Sequence, residues 1–282
     1  MSDAQNAAKR LYIEMSTAME AALTKVAQRF NADDWDALTD PEPKDQYELE
    51  KEETTMIVEP SVTLLAHTTI DADAISELME IQPASTDAET LVTFAGRSCY
   101  ESWHRPSEAT RDDADYIERT IFEQTHGSIL EHATATLYFT GVSRAFLTEL
   151  TRHRHLSFSV RSQRFVNEEG ANIVIPPAMK DLRHTKNTLL EKFEDQLHTY
   201  RWLVQQNLDN GYTRKQAREA ARAILPSMTE TKMTVTGNFR AWLQVIERRT
   251  APDADAELQE VMGMARDVLK PLAPSIFGRD SN

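Results

Sequence analysis

Apolar residues fall at helical spacing near the start of the chain, where Leu11, Met15, Met19, Leu23, Val26 and Phe30 recur every three or four positions. That period predicts an amphipathic helix of about five turns. The stretch 32–55 that follows is acidic and carries Pro41 and Pro43, the mark of a solvated linker. Residues 1–55 are therefore expected to form a helical extension lying on the body or on a sister subunit, and residues 56–282 the folded domain. Within that domain, 62–65 suits a short strand and 74–81 a helix capped by Asp71 or Asp73. Residues 91–102 and 114–124 are helical in pattern. From 133 to 141, Thr134, Thr136, Tyr138 and Thr140 alternate with Ala135, Leu137 and Phe139, the period of a half-buried strand. Ser143 suits the cap of a helix with Phe146, Leu147 and Leu150 on one face. A strand over 171–175, stopped by Pro176 and Pro177, precedes a long helix over 182–208 and a second over 214–225. A strand over 229–236, a helix over 239–249 and a last helix capped by Thr250, with Pro252 in its first turn, complete the pattern. The elements do not alternate with parallel-sheet regularity and no repeat is visible, so the expected class is α+β.

Charge narrows the function. In 282 residues, 45 acids against 31 bases leave the chain at −14. A polyanion is repelled at long range by that balance, which argues against general nucleic-acid or anionic-membrane binding. Cys99 is the one cysteine, so no intrachain disulfide and no zinc site of two thiolates is expected, and no metal site is assigned. A reducing cytoplasm fits that usage. No apolar run approaches the roughly 18 residues of a membrane span, and the opening MSDAQNAAKR lacks the apolar core of a signal peptide. The 8 glycines never write G-x-G, which excludes a Rossmann fingerprint and a P-loop. A bound nucleotide must then be gripped by side chains.

One window supplies them. Between Ser143 and Phe165 lie Arg144, Arg152, Arg154, Arg161 and Arg164 with His153 and His155, against a single acid, Glu149. Such a cluster repels itself unless an anion satisfies it. Arginine rather than lysine suits planar, bidentate recognition of phosphate or carboxylate, and the interleaved Ser157, Ser159 and Ser162 add hydroxyl donors. Pairing of these arginines with the chain's surplus acids is the competing reading.

Arg152-His153-Arg154 followed after seven residues by Ser162 resembles the R-H-R-x7-S signature of flavin-dependent thymidylate synthases, and the surrounding run from Glu149 to Phe165 resembles their actinobacterial members. Three further landmarks follow the family's order: Thr125–His132, Arg222-Ala-Ile-Leu-Pro226, and Val235–Trp242 with Arg249. The resemblance spans roughly residues 57 to 275. It implies an α+β fold with a central antiparallel sheet flanked by helices. It also implies methylation of dUMP to dTMP, with methylenetetrahydrofolate as one-carbon donor and FAD reduced by NADPH. A homotetramer whose sites are assembled from several subunits goes with it. The FAD set it implies is His126, Ser128, Glu131, Arg152, His153, Arg154, His155, Asn238, Arg240 and Gln244. For dUMP it implies Glu149, Arg152, Arg161, Ser162, Gln163, Arg164, Arg222 and Arg249, with Arg249 as the catalytic group beside the uracil. Asn238 and Arg249, eleven residues apart, would share one helix face at about 100° per residue.

Three positions depart from the family's pattern. Val160 stands where Glu or Gln accepts hydrogen bonds near the nucleotide sugar. Gln244 replaces Asn or His, and Asp253 replaces His, with a place in the first turn of a helix as its plainer role. These changes motivate an alternative, a degenerate paralogue that binds flavin or nucleotide without efficient turnover. An RNA-binding reading of the arginine window is disfavoured by the net charge and by the few interleaved aromatics. Cys99 is expected to be a packed small residue, Ser162 a hydrogen-bond donor rather than a nucleophile, and His132 a core or supporting histidine.

Overall fold

The structure is a computed structural model that describes residues 55–104, 107 and 110–279. The expected helix over 11–30 and the acidic linker, but for its last residue Thr55, lie outside the described residues. Strands β1 (Ser61–His67), β2 (Thr134–Ser143), β3 (Ser157–Val160) and β4 (Glu230–Asn238) form a four-stranded sheet in the order β1-β2-β4-β3. Every pairing is antiparallel. Threonines face their partners across the centre, with the hydroxyls of Thr136 and Thr236 2.9 Å apart. The opposite face carries Leu137, Phe139, Met233 and Val235, all buried, which accounts for the alternation in the sequence.

Helices α1 (Ala72–Ser76), α2 (Asp87–Ser98), α3 (Asp113–Ile117) and α4 (Arg144–Leu150) precede β3. After it come α5 (Arg183–Asp209), α6 (Arg214–Ala221), α7 (Phe239–Arg249), α8 (Ala256–Leu269) and α9 (Pro274–Phe277). α7 lies on the apolar face of the sheet, where Trp242 is fully buried and its indole N–H donates to the Ala135 carbonyl at 3.1 Å. The expected α+β class with a central antiparallel sheet is what the chain adopts. α5 and α6 pack together away from the sheet through Tyr200, Val204, Ala217 and Ala221.

The turn from β2 into α4 is tightly specified. Ser143 Oγ accepts from the Phe146 amide at 3.0 Å, the expected cap. The same hydroxyl donates to buried Glu257 at 2.6 Å, and the Ser143 amide donates to that carboxylate at 2.7 Å. α8 is thereby tied to the start of α4. Just upstream, Gly141 has φ +65 inside a bulge of β2, where a Cβ would run into the carbonyl of Glu59.

Several expectations need correction. The helix expected over 74–81 is only Ala72–Ser76, capped by Asp71 at 3.1 Å. α2 starts four residues before 91 because Thr86 caps it, accepting from Glu89 at 3.2 Å. The segment 114–124 is α3 followed by a wider π turn over Glu118–Glu123. Residues 171–175 form no strand; Ile173 alone bridges Ile57 and Thr229. The helix over 214–225 narrows to a 3₁₀ turn at Arg222–Ile224, since Pro226 holds Leu225 extended. The helix expected after Thr250 is α8, which begins at Ala256 with Asp255 as its cap, so neither Thr250 nor Pro252 belongs to it, and α9 follows it. The Thr250 hydroxyl instead donates back to the Ile246 carbonyl at 2.8 Å and closes α7.

Candidate active site

α7 runs between two open cavities. The C-terminal one, about 600 Å³, has Arg152, His153, Arg154 and His155 on one wall and Gln244 and Arg248 of α7 on the other. The chain leaves α4 at Leu150 and turns twice before β3, which turns four consecutive cationic or imidazole side chains toward α7. The guanidinium of Arg154 pairs with no carboxylate among the described residues. Arg152, with 70% of its side chain exposed, shares Glu149 at 3.3 Å.

Behind this wall sits a compact knot around Arg249, whose side chain is 14% exposed. Its Nε donates to His153 Nε2 at 2.8 Å, Nη1 to Glu149 Oε2 at 3.1 Å, and Nη2 to the Glu149 carbonyl at 3.1 Å. Burial, then the positive charges of Arg249 and Arg152, holds the His153 imidazole below its ordinary value against the opposing pull of Glu149. His153 is thus neutral and accepts at Nε2, which puts its proton on Nδ1. Guanidinium carries five N–H groups, so these three bonds leave two of those of Arg249 outside the knot.

The second cavity, about 400 Å³, lies at the N-terminal end of α7. His126, Ser128 and Arg240 line it, and the backbone turns into it through Thr125 at φ +60. Arg240 pairs with Glu131 at 2.5 Å, both about half exposed. Asn238 is the cap of α7, its Oδ1 accepting from the Ala241 amide at 2.8 Å. It therefore stands just outside the helix, and Arg249 lies at the far end of α7, roughly 16 Å away at 1.5 Å per residue, so the two residues sit at opposite ends of α7. The FAD set implied by the resemblance falls into two groups in one chain: Arg152 to His155 with Gln244, and His126, Ser128, Glu131, Asn238 and Arg240.

The remaining dUMP set lies on the loop after β3, apart from Arg222, which follows α6. Arg161 turns inward, its Nη2 at 3.4 Å from Glu168 and 3.3 Å from the Asn167 carbonyl. Ser162 Oγ accepts from the Arg164 amide at 3.3 Å. Arg164 pairs with Glu219 at 3.6 Å and lies over the Phe165 ring. Gln163 is half-buried beside them, and Arg222 is exposed just past the end of α6.

Cys99 and His132 depart from expectation. Both are exposed. Cys99 lies past the last turn of α2, beyond the face that Val92 buries, and its thiol donates to the Ala95 carbonyl at 3.4 Å on the rim of the second cavity. Asp253 lies in the loop before α8, not in its first turn, and pairs with Arg248 at 3.2 Å. Val160 packs against the main core from the same face of β3 as Phe158, so an apolar residue suits it. Sequence reasoning missed Glu168, which is fully buried, and placed Arg144 in the arginine window without a part in either ligand set. The run Asn167-Glu168-Glu169 reads as solvated, and nothing local distinguishes its buried member. Among the described residues no helix is long and apolar enough to cross a membrane, and no three His, Cys, Asp or Glu side chains converge as metal ligands.

The family model for Thymidylate synthase complementing protein matches residues 81–275. A probable flavin-dependent thymidylate synthase of Mycobacterium phage L5 is 46% identical over 196 residues, 68% of this chain and 80% of the relative. The flavin-dependent thymidylate synthase of Mycobacteroides abscessus is 44% identical over 211 residues, 69% of this chain and 81% of its own. Among solved structures, Thymidylate Synthase X from Helicobacter pylori with FAD and dUMP superposes with a TM-score of 0.55 at 19% identity, over 78% of this chain and 100% of that one. The UMP/dUMP methylase PolB from Streptomyces cacaoi, bound with 5-Br UMP, gives 0.59 at 21% identity, over 80% and 95%.

Proposed function

Because the chain belongs to the family of flavin-dependent thymidylate synthases, we propose that it converts dUMP to dTMP, taking its one-carbon unit from methylenetetrahydrofolate and its reducing equivalents from NADPH through FAD. The observation that carries the reading is the arginine-walled cavity backed by Arg249, whose guanidinium is oriented by three protein acceptors and keeps two N–H groups. Donor chemistry fits the cofactor: Arg152, Arg154 and His155 offer cationic and N–H groups to a pyrophosphate with no glycine loop. When bound, the flavin supplies the hydride that turns the transferred methylene into a methyl group.

The protein's part is binding and electrostatics. Ser162, Gln163, Arg164 and Arg222 hold the nucleotide phosphate. Arg249 faces the uracil and favours its ionised form at N3, raising electron density at the carbon that is methylated. A fixed guanidinium in a poorly solvated site does this without reorganising, and that is usually the largest catalytic term. Neutral His153 keeps Arg249 aimed without adding a second charge.

Cofactor contacts divided between two cavities at opposite ends of α7 support a homotetramer in which different subunits contribute to each site. A cytoplasmic location accompanies the reading. No observation favours the binding-only alternative, since Val160 faces the core and Asp253 is engaged by Arg248. The test is tritium release from 5-labelled dUMP. Release that requires both NADPH and methylenetetrahydrofolate is expected, and none from protein that has bound FAD would overturn the assignment.

A further inference from the structure

We propose that Glu168 is a positioning residue, a buried anion that fixes the loop 161–167 in the shape that binds the substrate phosphate; the substrate part rests on the function proposed above. Two arginines from other elements, Arg144 and Arg218, hold this loop by its backbone carbonyls, Arg161 closes it from within, and Arg201 holds the chain just beyond it. Arg144 Nη2 donates to the Arg161 carbonyl at 2.9 Å, and Arg218 Nη1 to the Phe165 carbonyl at 2.7 Å. Arg161 Nη2 reaches the Asn167 carbonyl at 3.3 Å, and Arg201 Nη2 the Glu169 carbonyl at 3.0 Å. With these carbonyls held by guanidiniums, Ser162 and Gln163 stay half-buried and the Arg164 side chain is exposed.

Arginines packed this closely need an internal counter-charge. Arg144 is held below the usual guanidinium range by burial first, and Arg161 and Arg222 push it the same way. Glu168 opposes them. Its side chain is 0% exposed, lies 3.4 Å from Arg161 and acts on Arg144 as well. Burial raises the Glu168 carboxyl, and Arg161 and then Arg144 pull it back. Neither of its oxygens has a hydrogen-bond donor in good geometry among the described residues, so its hold on the loop is electrostatic. The packing around it is close: the Tyr200 phenol on α5 is buried beside it and pushed up to about 12, chiefly by burial. Arg161, implied by the resemblance to touch substrate, belongs on this account to the support beneath the loop.

Glu168→Gln keeps the shape and removes the charge. In the full-length, ligand-free protein, amide hydrogen exchange over 162–166 is expected to rise about tenfold. The dissociation constant for dUMP is expected to rise about tenfold too, while kcat at saturating dUMP stays within about twofold and FAD absorbance is retained. Glu168→Asp restores the charge and is expected to recover most of the affinity; it serves with the same measurements if the glutamine variant does not fold. Unchanged amide exchange overturns the proposal. So does faster exchange with unchanged dUMP affinity, or a lowered melting temperature with neither effect. A wild-type protein that does not bind dUMP overturns the proposed function instead, and the exchange measurement on ligand-free protein still decides whether Glu168 holds the loop.

Discussion

Replacing Arg249 by alanine tests the centre of the site. The substitution removes three hydrogen bonds, to His153 Nε2, Glu149 Oε2 and the Glu149 carbonyl, from a side chain only 14% exposed. Bonds to charged groups contribute about 1.5–3 kcal/mol each. These three share one guanidinium, and Arg152 remains 3.3 Å from Glu149 to compensate it, so the combined loss is on the order of 3 kcal/mol. For a domain of this size, about 2–4 °C per kcal/mol lowers the melting temperature by roughly 6–12 °C. Catalysis should suffer more. Losing a preorganised group that stabilises developing charge costs about 10²–10³ in kcat. Arg152, Arg154 and His155 are untouched, so FAD absorbance in the purified variant should persist. Arg249→Lys separates charge from geometry: an ammonium reaches one of the three acceptors, and it should recover part of the stability and little of the turnover. Tritium release measured alongside calorimetry reads both quantities. Turnover of Arg249→Ala within about threefold of wild type would remove Arg249 from the chemistry.

Other expectations follow from single contacts. Glu257→Ala should destabilise the fold by about 3–5 kcal/mol, since it leaves the buried Ser143 amide and hydroxyl without their acceptor; urea unfolding measures this, and dUMP affinity should not change. Gly141→Ala should cost at least 1–2 kcal/mol by the same assay, because φ +65 and the Glu59 carbonyl both oppose a Cβ. His153, facing Arg249, Arg152 and Glu149, has a folded value below its ordinary one near 6.5. Its contribution is therefore present above about pH 6.5 and is lost as pH falls below it, since the unfolded state takes up the proton first. Wild type should lose stability relative to His153→Gln as pH falls below about 6.5, and urea midpoints that stay parallel as the solution is acidified would refute this.

What could be read from the sequence was local. α7 matches its expected span residue for residue because Asn238 opens it and Thr250 closes it within one turn. β2 and α4 were equally plain, since alternation and a serine cap are short-range signals. The start of α2 was missed because its first turn is polar and the apolar period begins only at Leu91. Residues 171–175 failed as a strand for the opposite reason. Their apolar run is real and buried, but their pairing stops at isolated bridges centred on Ile173, to Ile57 and Thr229, and pairing is a long-range matter. The same limit governed the site. Arg249 meets Glu149 across 100 positions of chain and Arg240 meets Glu131 across 109, and no spacing rule reaches that far.

The arginine window posed a choice between guanidiniums that wait for a phosphate and guanidiniums satisfied by the chain's surplus acids, and the structure combines the two. Within it Arg152, Arg161 and Arg164 each have a carboxylate within 3.6 Å while Arg154 has none among the described residues, and beyond it Arg249 and Arg240 are paired in the same way, as an acidic protein favours. Each pairing occupies only part of a five-donor fork. A carboxylate on one edge fixes the direction of the other edge, so the ordering cost of binding an anion is met before the anion arrives. Glu149 orients Arg249 and Arg152 together in this way, and Glu131 does it for Arg240 at the second cavity. A chain without phosphate-binding glycines thus obtains from its own acids the rigidity that a glycine-rich loop obtains from its backbone. It follows that removing such an acid should weaken anion binding, although simple charge counting predicts that it would strengthen it.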